Sequence, residues 1–148
     1  MTSVNGLSRS QVFDGPHIAR LLALALDRLR LGLLRETAAA FPGLRASHLR
    51  LLELIPDEGA RITDLADVAG MTKQGLGQHV DYLQDRGYTA SDRLPDDRRV
   101  RLVRRTAKGD EAVAFTRAAI ARVEQSWEAE LGPERYAALR QALTDLGS

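Results

Sequence analysis

The chain has 148 residues, 44% of them apolar, and a formal charge of only +1, which suits one folded unit with a buried core. It contains no cysteine; this excludes disulfides, thiolate zinc sites and thiol redox chemistry, and fits a reducing cytoplasm. Charge is nevertheless segregated: residues 93–108 hold seven cationic side chains against two carboxylates, a net +5 that leaves −4 for the remainder.

The first fifteen residues, MTSVNGLSRSQVFDG, show no period and are expected to form a flexible arm, with Val12 and Phe13 as docking residues. Helical spacing starts at Gly15-Pro16 and stops at Pro42-Gly43. Within it, Ile18 to Leu34 is the most apolar stretch, yet it contains Arg20, Asp27, Arg28 and Arg30. Each would cost about 2.5–3.5 kcal/mol near a bilayer centre, so no membrane partner is expected. Nor is it followed by the small-residue cleavage site of a signal peptide. Its apolar residues do not form one stripe: Ile18, Leu21, Leu22, Ala25, Leu29 and Leu33 mark one face, while Leu24, Leu26, Leu31 and Leu34 lie largely elsewhere. A helix apolar around most of its circumference must be covered on several sides. In a chain this short a second copy is the natural cover.

A second helix is expected from about Arg45 to Ile55, then a turn at PDEGA and a single β-bridge at Arg61-Ile62. Thr63 reads as the N-cap of a short helix closing at Gly70, and Thr72 as the cap of another that runs to Arg86 and stops at Gly87. From Tyr88 to Thr106 the pattern turns to β, with YTASDR and RVRLVRR flanking LPDD. Helical spacing returns at Ala107, breaks at Gly132-Pro133, and resumes in a last helix carrying Tyr136, Leu139, Leu143 and Leu146.

Function concentrates in ITDLADVAGMTKQGLGQHVDYLQDRGY, residues 62–88. Leu65, Ala66, Ala69 and Met71 give a short helix a small apolar face, Gly70 permits a left-handed corner, and Leu76, Val80 and Leu83 anchor the helix beyond. That spacing is a helix-turn-helix. Thr72, Lys73, Gln74, Gly77, Gln78 and Asp81 are left pointing outward. A helix start with a hydroxyl and free N–H groups suits a phosphate, and Lys and Gln carry the donors and acceptors that read base edges. By itself this stripe also fits a solvated polar face.

The hairpin decides between the two. Arg93, Arg98, Arg99, Arg101, Arg104, Arg105 and Lys108 follow directly on the helix-turn-helix, with Asp96 and Asp97 at the tip. A cationic hairpin in that place is the footprint of a nucleic-acid surface. Arginine is favoured in a narrow minor groove but loses rotamer entropy unless held beforehand. Asp97, two residues before Arg99, is positioned to hold it.

No enzyme constellation assembles. GLGQ at residues 75–78 lacks the remainder of a dinucleotide fingerprint, there is no G-K-[ST] or G-x-S-x-G, and His17, His48 and His79 are isolated. The expectation is therefore a non-enzyme without metal or other cofactor.

The segment 62–88 and the wing with its T-x-K-G continuation, DDRRVRLVRRTAKG, resemble the MarR family of winged helix-turn-helix transcriptional regulators, over nearly everything from Pro16 onward. The resemblance implies a mainly α fold with a small antiparallel β wing: a winged lobe over 45–106, and dimerisation helices over 16–42 and 107–148, in a single domain from 16 to 148. It implies a homodimer on a palindromic double-stranded DNA operator, acting as a repressor. Thr72, Lys73, Gln74, Gly77 and Gln78 match the recognition helix; Asp97, Arg98, Arg99 and Arg101 belong to the wing, with Arg99 as the minor-groove arginine; Arg45 and Ser47 match a region that touches phosphate. A small-molecule effector, by the same resemblance, would sit between the first, second and fifth helices and the lobe, where His17, His48 and Trp127 are candidate lining residues. The alternative is a dimeric small-molecule or protein-binding module of this fold that has lost operator recognition.

Three positions depart from the family pattern. Gly75 and Gly77 lie inside the recognition helix, each about 0.8–1 kcal/mol worse than Ala there. His79 stands where an apolar residue is usual and reads as a packing histidine. Arg105 stands where leucine is common, and either widens the basic footprint or pairs with an acidic neighbour.

Overall fold

The computed structural model describes residues 17–147; the expected arm, with Val12 and Phe13, lies outside the described residues. Helix α1, Ile18–Ala40, is followed by α2, Ala46–Leu54, the two-residue strand β1, Ala60–Arg61, and α3, Ile62–Ala69. Next come α4, Lys73–Asp85, the strands β2, Thr89–Arg93, and β3, Arg101–Arg105, then α5, Ala107–Leu131, and α6, Pro133–Leu146. The strands form one antiparallel sheet in the order β1-β3-β2. No helix among the described residues is long and apolar enough to cross a membrane.

One core joins the lobe to the long helices. Leu49 and Leu52 of α2, Ile55 at its C-cap, Leu65 of α3, Leu76, Val80 and Leu83 of α4, Val103 of β3 and Ala112 of α5 are almost fully buried together. Phe41, just past α1, packs edge-on against Phe115 at 5.4 Å and Tyr88 at 6.2 Å, fastening the end of α1 to α5 and the base of the wing. Arg122 pairs with Glu36 and Arg28 with Glu130, tying α5 back to α1 along its length.

The helix-turn-helix corner rests on Gly70, whose φ of 65° is a left-handed conformation open to glycine at no steric cost, and on a bond from the Met71 N–H to the Ala66 carbonyl at 2.9 Å. Thr63 does not cap α3. Pairing of Ala60 with Val103 and of Arg61 with Leu102 holds Arg61 extended, so the helix begins at Ile62 with Arg61 as its N-cap. Thr72 does cap α4, accepting from the Gly75 N–H at 3.0 Å.

The T-x-K-G run closes the wing onto α5. Thr106 Oγ1 accepts from the Gly109 N–H at 3.2 Å and donates to the Gly87 carbonyl at 2.5 Å. Lys108 Nζ donates to the Arg86 carbonyl at 2.8 Å while lying 4.3 Å from the centre of the Tyr88 ring. At Gly109 a Cβ would fall 2.2 Å from the Tyr88 carbonyl oxygen, so only glycine lets this first turn approach so closely.

Candidate nucleic-acid interface

Leu76, Val80 and Leu83 bury one side of α4, which by helical period turns Lys73, Gln74, Gln78 and Asp81 outward. All four are exposed, as is Thr72 at the cap. Gly77 is half-buried, and a Cβ there would meet only Ile62 Cδ1, at 3.9 Å, in ordinary contact.

The wing tip between β2 and β3 is built by a few local bonds. The Leu94 N–H reaches the Val100 carbonyl at 3.2 Å, and the Val100 N–H the Asp97 carbonyl at 3.0 Å. The Asp97 carboxylate accepts from the Arg99 backbone N–H at 3.0 Å. Asp97 therefore orders the turn that carries Arg99 rather than gripping the guanidinium, a difference from the sequence expectation. A short acidic side chain two residues ahead of an N–H makes that turn readily. Arg98 and Arg99 are exposed at the tip.

Helix and wing converge. Lys73 and Gln74 of α4, Ile62 of α3, and Arg93, Arg99 and Arg101 of the wing line one cleft of about 460 Å³. Four of its six lining residues are cationic and none is a carboxylate.

The other wing arginines are paired within the protein. Arg104 pairs with Asp92 on the neighbouring strand. Arg105, its side chain only 9% exposed, pairs with Asp57 and, at 2.7 Å, with Asp110, and donates to the Leu52 and Ile55 carbonyls at the end of α2. Of the two readings open for Arg105, the geometry is that of acidic pairing. Arg101 donates through Nε to Ser91 Oγ at 3.0 Å and through its terminal nitrogen to Asp81 at 2.7 Å.

Arg45, the N-cap of α2, and Ser47 are both exposed at the start of that helix. The start of α2 is anchored to the inner side of α4: Tyr82 Oη donates to the Gly43 carbonyl at 2.6 Å, and buried His48 stacks on the Tyr82 ring at 4.4 Å. His48 Nδ1 accepts from the Arg45 N–H at 3.1 Å, and half-buried His79 meets the His48 ring edge-on at 5.2 Å. Burial, reinforced by His79, Arg45 and Arg86, pushes the His48 imidazole down to about 4.

The three effector-pocket candidates do not share a cavity. His17 caps α1 through a bond from the Arg20 N–H at 3.3 Å, and His48 lies under α4. Trp127 borders a cleft of about 350 Å³ between α1, α5 and α6, with Leu29, Val123, Tyr136 and Leu143 among its neighbours and neither histidine on its wall. Among the described residues no group of three or more His, Asp or Glu is arranged to hold a metal ion.

No family model matches the chain, and no curated protein matches it in sequence. Solved structures do. The transcriptional repressor CouR bound to a 23-mer DNA duplex is 25% identical, with 97% of this chain covering all of that one at a TM-score of 0.73. A cysteine-to-serine mutant of MarR from E. coli is 17% identical, covering 92% of this chain and 100% of that one at 0.76. BpsR of Bordetella bronchiseptica, described by the regulation of its DNA binding by 6-hydroxynicotinic acid, is 22% identical, covering 88% and 98% at 0.70. The fold is that of the MarR-type winged-helix regulators.

Proposed function

We propose that the protein is a homodimeric, sequence-specific double-stranded DNA-binding regulator of transcription, acting as a repressor and not as an enzyme. The observation that carries this reading is the cleft shared by the start of α4 and the wing, lined by Lys73, Arg93 and Arg99 together with an Arg101 that is already paired to Asp81. Thr72 and the first N–H groups of α4 suit a backbone phosphate; Lys73, Gln74 and Gln78 suit base edges in the major groove, with Gly77 beside them. Arg98 and Arg99, on a turn ordered by Asp97, suit the flanking minor groove. Arg45 and Ser47 would add phosphate contacts.

Dimerisation is supported by apolar surface that the single chain leaves uncovered. Ile18, Leu21, Leu22, Leu24, Leu26 and Leu31 of α1 are exposed, as are Leu139, Leu143 and Leu146 of α6. Such a patch on a water-facing helix pair marks an interface. On this reading 16–148 is one domain, in which 16–42 and 107–148 form the dimer and 45–106 reads DNA. Two copies would set their α4 helices about 34–36 Å apart, in successive major grooves of a palindrome. Repression is favoured by the described role of CouR, and effector control by that of BpsR; the cleft beside Trp127 is the place such a small molecule would enter, closed over by the second subunit. Work on an operator belongs in the cytoplasm.

Selection of bound duplexes from a random library tests the reading. A recovered palindrome, bound with an affinity that falls steeply with salt, supports it. Absent or salt-independent binding overturns it and favours the dimeric ligand- or protein-binding module.

A further inference from the structure

Arg101 belongs to the last ladder pair before the wing tip, opposite Arg93. Beyond that rung the tip is shaped by the two backbone bonds at Leu94 and Val100, the Asp97 side-chain turn and a long bond from the Arg93 guanidinium to the Arg99 carbonyl at 3.5 Å. The Arg101 guanidinium does not follow the tip outward. It reaches back across the sheet, donating to Ser91 on β2, to Asp81 at 2.7 Å and to Gln84 at 3.4 Å on α4, with its side chain only 17% exposed. Three elements thus meet on one planar, multidentate cation, which a lysine could not reproduce.

Asp81 lies one turn beyond Gln78 and two beyond Gln74 on the outward stripe of α4, with 63% of its side chain exposed. A carboxylate there would repel a phosphate backbone unless a cation neutralised it. We infer that Arg101 is a positioning residue: by bridging Asp81 on the recognition helix to the last rung of the wing, it fixes the spacing between the major-groove and minor-groove reading elements and masks the carboxylate nearest Gln74 and Gln78 on the helix's outward face. This rests on the DNA-reading function proposed above, but the brace itself is measurable without DNA.

The test uses the full chain with Arg101→Gln, Asp81→Asn, both together, and Arg101→Lys. Bare electrostatics predicts opposite effects for the first two, since one removes a positive and the other a negative charge. The brace predicts the same sign. Each should raise hydrogen exchange at the Leu94 and Val100 amides in free protein. On the selected operator, each should abolish hydroxyl-radical protection of the flanking minor grooves and weaken binding by about tenfold, with base preference in the half-site cores unchanged. The double variant should be no worse than either single one, because both remove the same bridge, and Arg101→Lys should rescue only in part. Unchanged exchange in both single variants overturns the brace. So does a result in which Arg101→Gln weakens every duplex, Asp81→Asn tightens every duplex and the two effects add. If the parent protein binds no duplex while exchange still rises in both variants, the DNA-reading function fails and the brace stands.

Discussion

Replacing Arg105 by leucine separates a structural arginine from a DNA-facing one. The Leu52 carbonyl, two residues before the end of α2, would ordinarily accept from the N–H of residue 56; that residue is Pro56, which has none. Arg105 supplies the missing donor to Leu52 at 3.3 Å and also reaches the Ile55 carbonyl. Its carboxylate partners are cheap to lose, because Asp57 and Asp110 have 92% and 62% of their side chains exposed and can be rehydrated; such pairs contribute about 0–1 kcal/mol each. The carbonyls are costlier, at roughly 1–3 kcal/mol for a buried group left without a partner. Against this, leucine abolishes the desolvation of a nearly buried guanidinium and fills much of the same volume. The balance is a loss of about 2 kcal/mol for Arg105→Leu, and about 1 kcal/mol more for Arg105→Ala, which also empties the space of the side-chain stem.

Urea denaturation at one fixed protein concentration measures this, since a dimer's apparent stability depends on concentration. Asp57→Asn and Asp110→Asn should each cost less than about 1 kcal/mol in the same assay. The dependence of DNA affinity on salt should be identical for Arg105→Leu and the parent chain. A variant as stable as the parent would refute the carbonyl argument, and a salt slope reduced by about one would make Arg105 a phosphate ligand after all.

Four further outcomes are expected. Arg99→Ala should leave the dimer intact in sedimentation and lower the salt slope of DNA binding by about 0.9 per protomer, with unchanged affinity removing the wing from the interface. His48 is held neutral in the fold, so between its folded value of about 4 and the ordinary 6.5 the unfolded chain binds the extra proton; its contribution is fully present above pH 6.5 and is lost as pH falls toward 4, by on the order of 2–3 kcal/mol. His48→Asn, which keeps an acceptor for the Arg45 N–H, should flatten that part of the pH–stability curve. Gly109→Ala drives a methyl into the Tyr88 carbonyl and should destabilise by about 1–3 kcal/mol, read as a lower urea midpoint. Gly77→Ala meets no clash and should stabilise by about 0.5–1 kcal/mol; a simultaneous fall in DNA affinity would mean that the backbone there lies against the groove.

Most of the fold was legible because its punctuation is local. Gly43, Gly70, Gly87 and Gly132 end or separate the helices where the chain takes positive φ, and Thr72 caps the helix that follows it. The start of α3 was misread at Thr63 because what fixes it is the pairing of Arg61 with Leu102 on a distant strand. A capping preference is a local signal and cannot anticipate a strand partner some forty residues on. The exposed stripe of α4 was legible too, since burying Leu76, Val80 and Leu83 leaves Lys73, Gln74 and Gln78 only one direction to face.

Charge was legible in amount but not in direction. Arg101, Arg104 and Arg105 find their carboxylates at Asp81, Asp92 and Asp57, which are 20, 12 and 48 residues away in sequence and adjacent only in the folded lobe. Counting residues 93–108 as +5 therefore overstates what a phosphate would meet. With those three pairs internally compensated and Lys108 turned onto the Tyr88 ring, the outward field of the wing comes mainly from Arg93, Arg98 and Arg99. The same pairs serve a second purpose. A hairpin that presented six unpaired guanidiniums would repel itself and splay, whereas one stitched at its base to α2, α4 and α5 can hold two or three of them stiffly at its tip. Affinity for a duplex scales with the number of phosphates neutralised, but register depends on how rigidly the neutralising groups are held. The paired arginines set the second so that the unpaired charge at the tip can deliver the first.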